Sequence, residues 1–227
     1  MHTDDQKAEV EHKKAGNISA STGVARCRVG FVINPIAGLG GRVGLKGTDN
    51  VVAKALARGA KATANLRAGQ MLDELMRLIA ASKVTVDISW LTCSGEMGAD
   101  RLRAAGFTNV EIVHEASGVT NAEDTKTTVQ RFLEYGVDLI VFCGGDGSAC
   151  DVTKVCGCKV PVIGVPAGVK MFSGVFGVNP NRCAELVFGF LKGTLSLNEV
   201  DILDLDEERY RSGEWSVRLH RSALTPY

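Results

Sequence analysis

The sequence lacks a charge excess, because its 227 residues include 26 Lys and Arg against 26 Asp and Glu. A protein that holds a nucleic-acid backbone or an anionic membrane by charge carries a basic excess. The sequence also lacks an apolar run of the roughly 20 residues that a membrane-spanning helix needs, and its polar start lacks the apolar segment of a secretory signal. We therefore expect a cytoplasmic protein that binds small molecules, and neither nucleic acid nor a membrane.

Aromatic residues and prolines are scarce, with 8 Phe, 3 Tyr, 2 Trp and 5 Pro, whereas glycine is abundant at 26 residues. Glycine lets the backbone turn tightly or approach another group closely. Nucleotide-binding α/β domains have this composition, so it favours that class.

Seven cysteines form an odd set without a repeating framework, so we expect reduced and buried thiols. Cys156 and Cys158 are the one closely spaced pair. No second pair or nearby histidine completes a zinc set, so two packed thiols at a strand edge are favoured over a metal or redox site. None of the four histidines has the Ser or Cys context of a hydrolase triad, which argues against acyl transfer and against a catalytic His114.

The chain alternates between strand and helix patterns after a polar stretch at 1–25. The apolar run 138–143 is typical of a buried strand in a parallel sheet, and Asn121 and Asn179 are predicted helix N-caps. The predicted strands are 27–34, 84–91, 110–114, 138–143 and 160–165, and the predicted helices are 50–58, 70–82, 95–105, 122–135, a helix ending at 155, and 180–191.

This order predicts an α/β fold, namely a doubly wound, mostly parallel sheet with helices on both faces. The pattern changes near Ser196, where 197–206 and 215–219 alternate on either side of a turn and predict the start of an antiparallel β-region. The expected organisation is a disordered tail at 1–25, an α/β nucleotide-binding domain at 26–195 and the start of a β-rich C-terminal domain at 196–227.

Three loops follow predicted strands, and ligands of open α/β sheets bind beyond the carboxyl ends of the strands. The loop at 34–41 has glycines whose backbone N–H groups could face a phosphate. In the loop at 144–148, Asp146 lies among three glycines and is expected to be fully reachable; a tight Asp-Gly turn is the alternative. The loop at 165–174 offers Lys170 and Ser173 to phosphate oxygens, with a solvated lysine as the alternative.

Neither standard nucleotide-binding motif explains these loops. A Walker loop is excluded because Lys46 is followed by Gly47 rather than Ser or Thr, and a dinucleotide fingerprint is excluded because Gly38-Leu-Gly40 lacks its third glycine. The ligand class therefore has to come from the three loops together.

Taken together, the segments Asn34-Pro-Ile-Ala-Gly-Leu-Gly-Gly, Gly144-Gly-Asp-Gly-Ser and Pro166-Ala-Gly-Val-Lys-Met-Phe-Ser-Gly resemble the ATP-NAD kinase-like family. That family includes the acetoin-catabolism protein X and belongs with the NAD kinases, diacylglycerol kinases and 6-phosphofructokinases. The resemblance covers about 26–213.

The resemblance implies phosphoryl transfer from ATP, with Mg²⁺, to the 2′-hydroxyl of NAD as substrate, giving NADP. It implies that Asp146 is the catalytic residue, as general base or by orienting the hydroxyl. We predict no metal-ligating residue in this site, and the resemblance implies a possible homo-oligomer. The nucleotide- and substrate-binding residues that it implies are Asn34, Gly38, Gly40, Gly41, Gly144, Gly145, Gly147, Ser148, Lys170 and Ser173.

Two departures from the family pattern leave alternatives open. Ser148 stands where the family has Thr, which preserves a hydroxyl. NAD kinases bind the dinucleotide between this domain and a sizeable β-rich domain, for which 196–227 alone is available here, so a non-catalytic nucleotide-binding module, or a kinase of another hydroxyl acceptor such as a lipid, is the alternative. The acidic residues near this junction predict either a metal site or a solvated strand edge; they are Glu199, Asp201, Asp204 and Asp206.

Overall fold

A computed structural model describes residues 24–38, 62–117, 120–168, 171–205 and 217–227 of the protein. Strands and helices alternate over most of this part of the chain. The elements are β1 (Val24–Ile33), α1 (Ala64–Ala81), β2 (Thr85–Cys93), a 3-10 helix (Gly95–Met97), α2 (Ala99–Ala104), β3 (Val110–His114), α3 (Ala122–Glu134), β4 (Leu139–Gly144), α4 (Asp146–Cys156), β5 (Val162–Pro166), α5 (Pro180–Leu191), β6 (Leu197–Leu205) and β7 (Val217–Pro226).

The first five strands form one parallel sheet in the order β3-β2-β1-β4-β5. β1 lies at its centre, where Val29 is in register with Trp90 of β2 and with Leu139 of β4. All six residues of β4 are buried, as its apolar run predicts. The predicted doubly wound parallel sheet is confirmed.

Helices cover both faces of this sheet because side chains of a strand point alternately to its two sides. Phe31 belongs to the core that α1 and α5 form on one face. Its neighbour Val32 belongs to the core that α3 and α4 form on the other face. Both residues are almost completely buried.

β6 and β7 form a separate antiparallel pair, which confirms the predicted change of pattern. Ile202 of β6 and Ala223 of β7 are buried in the same core cluster as Val152 of α4. The pair is thereby held against the helix that begins at Asp146. β7 extends to Pro226, well past the predicted end at 219.

Two predicted helix starts are confirmed by hydrogen bonds. The Asn121 side chain accepts from the Glu123 N–H at 2.7 Å, and Asp124 accepts from the Asn121 N–H at 3.0 Å, which closes a capping box. The Asn179 side chain accepts from the Arg182 N–H at 2.9 Å. Both helices begin where the sequence predicts.

Other boundaries differ from the prediction. The single helix expected over 95–105 is wrong, because Gly98 has φ +155° and separates the 3-10 helix from α2. A Cβ atom at Gly98 would lie 2.1 Å from Thr92 Oγ1, so glycine is required there. β1 begins at Val24, which pairs with Thr85, rather than at 27. The predicted helix 50–58 lies outside the described residues.

The cysteines that the structure describes are free thiols, and burial of the Cys143 thiol raises its pKa. The predicted strand-edge pair is wrong. Cys156 is the buried last residue of α4, and Cys158 is exposed in the following turn. His114 Nε2 lies 3.1 Å from Asp124 Oδ1, at the start of α3. Among the described residues, no helix combines the length and apolar character needed to cross a bilayer.

Candidate functional site

The chain changes direction across the sheet between β1 and β4. From β1 it winds outward through β2 to β3, and it then returns to place β4 on the other side of β1. The segments that follow two such strands diverge and leave a crevice at the carboxyl edge of the sheet. These segments begin at Asn34 and Gly145, so two of the three predicted loops flank this crevice.

Asn34 joins the first segment to the second. Its N–H donates to the Cys143 carbonyl at 2.9 Å, which continues the β1–β4 ladder, and its Nδ2 donates to Ser148 Oγ at 3.0 Å. Ser148 is only 6% exposed. The two predicted residues therefore lie together and contact each other across the crevice.

Gly38 is a glycine for structural reasons. It has φ +85°, and a Cβ atom would lie 2.2 Å from Thr63 Oγ1 and 2.4 Å from the Ala167 carbonyl oxygen. The Thr63 hydroxyl donates to that same carbonyl at 2.6 Å, which ties the start of α1 to the third loop. The predicted ligand residues Gly40 and Gly41 lie outside the described residues.

The second segment is the first turn of a helix rather than a loop. α4 begins at Asp146, and Gly145 is its N-cap without a capping side chain. The first N–H groups of a helix have no intrahelical partner, and their positive partial charge suits an anion.

The glycines of this segment serve two different purposes. A Cβ atom at Gly144 would lie 2.3 Å from Ser148 Oγ, so packing requires glycine there. At Gly145 and Gly147, and at Gly168 in the third loop, a Cβ atom would meet no described atom within 4 Å, and no left-handed φ demands glycine. Contacts among the described residues thus do not explain why these three positions are glycine. A ligand that approaches the backbone closely would explain it, because a side chain there would be in its way.

Asp146 is held by the third loop. Its Oδ1 accepts from the Ser173 hydroxyl at 2.7 Å, the Ser173 N–H at 2.9 Å and the Phe172 N–H at 3.1 Å. Its Oδ2 accepts from the Phe172 N–H at 3.0 Å. The expectation of a fully reachable carboxylate is wrong, because Asp146 is half-buried behind these contacts.

Ser173 faces Asp146 rather than open surface. The residue is 5% exposed, and its Oγ also accepts from the Leu203 N–H of β6 at 3.1 Å. The Ser173 Oγ lies 2.7 Å from Asp146 Oδ1 and 3.2 Å from the Leu203 carbonyl oxygen, and the shorter contact to the charged acceptor is the stronger hydrogen bond. Ser173 therefore connects the third loop, α4 and β6, and the geometry is that of a group that positions Asp146. Lys170, predicted beside it, lies outside the described residues.

Sequence reasoning missed Thr63, Ala167 and Phe172, which hold the three segments together. Thr63 and Ala167 act through one side-chain to backbone hydrogen bond, and Phe172 acts through its N–H. A backbone group carries no residue-specific signal, and Thr63 lies far along the chain from each glycine-rich segment. The third segment includes Ala167 and Phe172, but no sequence pattern gave these two residues or Thr63 a role.

The described members of the predicted acidic cluster, Glu199, Asp201 and Asp204, do not lie on one face of β6. Glu199 and Asp201 are exposed on one face of β6. Asp204 lies on the opposite face, which it shares with Ile202. Asp206 lies outside the described residues. The solvated strand edge is thus the better description of Glu199 and Asp201. Asp204 instead lies near Cys150 and His220.

Residues 29–195 match the family model of the ATP-NAD kinase N-terminal domain. This match spans the parallel sheet, its helices and all three segments of the candidate site. Among curated proteins, none matches the chain.

Solved structures of a protein described as a diacylglycerol kinase from Bacillus anthracis str. Sterne are similar to the chain at 20% sequence identity. One covers 79% of this chain and 45% of that protein with a TM-score of 0.40. Another covers 79% and 46% with a TM-score of 0.37. The matched part of the chain thus spans less than half the length of these structures.

Proposed function

Because the match over residues 29–195 shows that the chain belongs to the ATP-NAD kinase family, we propose that it transfers a phosphoryl group from ATP to the 2′-hydroxyl of NAD. One observation carries this proposal. The carboxyl ends of β1 and β4 bring Asn34, the start of α4 and Asp146 to the crevice where ligands of such sheets bind.

The start of α4 fits the phosphate groups of a nucleotide. Its N–H groups lack a capping side chain, and the space beside Gly145 and Gly147 is free of described atoms. Gly168 offers the same room on the third loop. Mg²⁺ bound to the phosphates would neutralise the charge of the transferred group. The residues present fit a Mg-nucleotide, and Asp146 is the carboxylate in the first turn of this helix.

Asp146 is proposed to act on the acceptor hydroxyl through Oδ2. Each carboxylate oxygen can accept about two hydrogen bonds. Oδ1 accepts three contacts, whereas Oδ2 shares one with Phe172 and keeps acceptor capacity. The third loop thus fixes the carboxylate while one oxygen can orient the hydroxyl or remove its proton.

The test is NADP formation from NAD, ATP and Mg²⁺ by the purified full chain and by Asp146→Asn. We expect the substitution to lower the rate by about 10²–10⁴, the usual contribution of a positioned acid or base. Asp100→Asn is the matched control, because Asp100 is also in the first turn of a helix but is exposed on α2. Equal activity of Asp146→Asn and Asp100→Asn would remove Asp146 from the mechanism.

The second candidate is a module that binds a nucleotide without turnover. The contacts of Asp146 support it. Four hydrogen-bond contacts from Phe172 and Ser173 make this carboxylate an anchor of the loop, a role that needs no chemistry. The two candidates differ in turnover. Saturable ATP binding with no phosphorylation of NAD, and none of a lipid or small-metabolite hydroxyl, would support the module and contradict the kinase.

A further inference from the structure

We propose that Cys150, Asp204 and His220 bind a divalent transition-metal ion of the zinc class at the junction of α4 with the β6–β7 pair. The Sγ, carboxylate oxygen and imidazole nitrogen that they offer all lie within 4.8 Å of one another. Cys150 lies about one helical turn along α4 from Asp146, and the proposal does not depend on the proposed kinase activity.

The separations are close to those of a metal site. Bonds of roughly 2.0–2.3 Å in a tetrahedron place ligand atoms about 3.5 Å apart. Ligand atoms that lie within 4.8 Å of one another would have to approach by about 1 Å to bind one ion. Three protein ligands leave a fourth position for water.

Each ligand comes from a different element. Cys150 lies in the middle of α4, Asp204 near the end of β6 and His220 in β7. A shared ion would therefore join the antiparallel pair to the helix that begins at Asp146. Their separation along the chain explains why no spacing motif reveals the set.

A β-bulge turns His220 toward this site. Leu203 pairs with Leu219 and the preceding Ile202 pairs with Arg221, so His220 is the extra residue of β7. Arg221 faces α4, because its Nη1 donates to the Thr153 carbonyl at 2.8 Å. In a regular strand His220 would point away from α4, whereas the bulge brings its ring to the same side as Arg221 and close to Cys150.

The surroundings of Cys150 suit a cation. Without an ion, burial and then the negative charges of Asp204, Asp146 and Asp151 raise the pKa of the Cys150 thiol, and a bound cation would offset these effects and favour the thiolate. A thiolate, an imidazole and a carboxylate form a donor set that zinc accepts and that Mg²⁺ and Ca²⁺, which take oxygen ligands, do not.

A bound ion would also act on the third loop. The Cys150 Sγ lies 4.0 Å from the Leu203 carbonyl oxygen, and the Leu203 N–H donates to Ser173 Oγ. Ser173 in turn donates to Asp146. Fixing β6 against α4 would therefore restrict the hydroxyl that positions Asp146.

The test is titration of the purified, reduced full chain with Co²⁺, followed by competition with Zn²⁺. We expect a thiolate-to-cobalt charge-transfer band and tetrahedral visible absorption, both of which Zn²⁺ removes. Cys150→Ser should abolish the charge-transfer band. Asp204→Asn and His220→Gln should each weaken Co²⁺ binding at least tenfold.

Cys158→Ser is the matched control, because Cys158 is an exposed thiol outside the set. It should keep the band and the Co²⁺ affinity. Far-ultraviolet circular dichroism of each variant checks that it is folded, and exposed Asp204 provides a ligand variant that leaves the buried core unchanged. A band that survives Cys150→Ser, or that Cys158→Ser removes, or no thiolate band at all, would overturn the proposal.

Discussion

At the scale of single residues, the site is a network of positioning contacts around one carboxylate. Asp146 takes three hydrogen-bond donors from Phe172 and Ser173, and Ser173 also holds the Leu203 N–H. The carboxylate is thus oriented before any ligand arrives. Such preorganisation favours a reaction that depends mainly on geometry and charge.

Ser173→Ala is expected to destabilise the protein by about 1.5–3 kcal/mol, the usual range for a hydrogen bond to a charged group. It removes the donor to Asp146 and leaves the Leu203 N–H without its acceptor. Urea denaturation measures the free energy of unfolding, with exposed Ser117→Ala as the control. Equal unfolding midpoints for the two variants would contradict the positioning role.

The contact between Asn34 and Ser148 is expected to couple the two segments that flank the crevice. The hydrogen bond from Asn34 Nδ2 to Ser148 Oγ is 3.0 Å long. A double-mutant cycle with Asn34→Ala and Ser148→Ala should give a coupling energy of about 0.5–1.5 kcal/mol in the free energy of unfolding. Additivity within about 0.3 kcal/mol would show that the segments are energetically independent.

At the scale of elements, substitutions of the glycines at the start of α4 should change thermal stability and ATP binding independently. Gly147 is helical and exposed, and a Cβ atom there meets no described atom, so Gly147→Ala should keep or raise stability by up to about 1 kcal/mol. The added methyl group would occupy the space proposed for phosphate. We expect thermal denaturation to show an unchanged or higher Tm and calorimetry to show weaker ATP binding.

Gly144→Ala is the contrasting variant, because its Cβ would lie 2.3 Å from Ser148 Oγ. We expect it to lower the Tm whether or not ATP is present. If Gly147→Ala instead bound ATP as tightly as the unchanged chain, the start of α4 would not be a phosphate site.

Elements with a strong local signal were predicted well. α3 and α5 begin at Asn121 and Asn179 as expected, because the cap side chain and the apolar spacing both act within a few residues. The break at Gly98 could not be predicted, since it depends on Thr92 in a neighbouring strand. β7 was predicted too short because pairing with β6, rather than its own pattern, fixes its length.

The candidate site was predictable only in part, because some of its contacts join residues that are distant in the sequence. Asn34, Asp146 and Ser148 follow strands that share a carboxyl edge, so the strand order brings them together. The contact of Asp146 with the 172–173 backbone and the bulge at His220 depend on tertiary packing. Neither feature could be predicted from the spacing of residues in the sequence.

At the scale of the whole molecule, two concave regions of the described residues are candidate places for the nucleotide. One is the crevice between β1 and β4. The other is an open groove of about 720 Å³ between α1 and α5, lined by charged residues of both signs that include Arg67, Arg77, Arg182 and Glu185. The proposed function requires the nucleotide in the crevice.

Amide hydrogen exchange of the full chain, with and without ATP, Mg²⁺ and NAD, tests this placement most directly. The account predicts slower exchange over 144–149 at the start of α4 and over 166–168 when the ligands are present. Exchange over 180–191 of α5, which borders the groove, should not change. Protection confined to α1 and α5, with 144–149 unaffected, would contradict the central claim that the β1–β4 crevice holds the nucleotide.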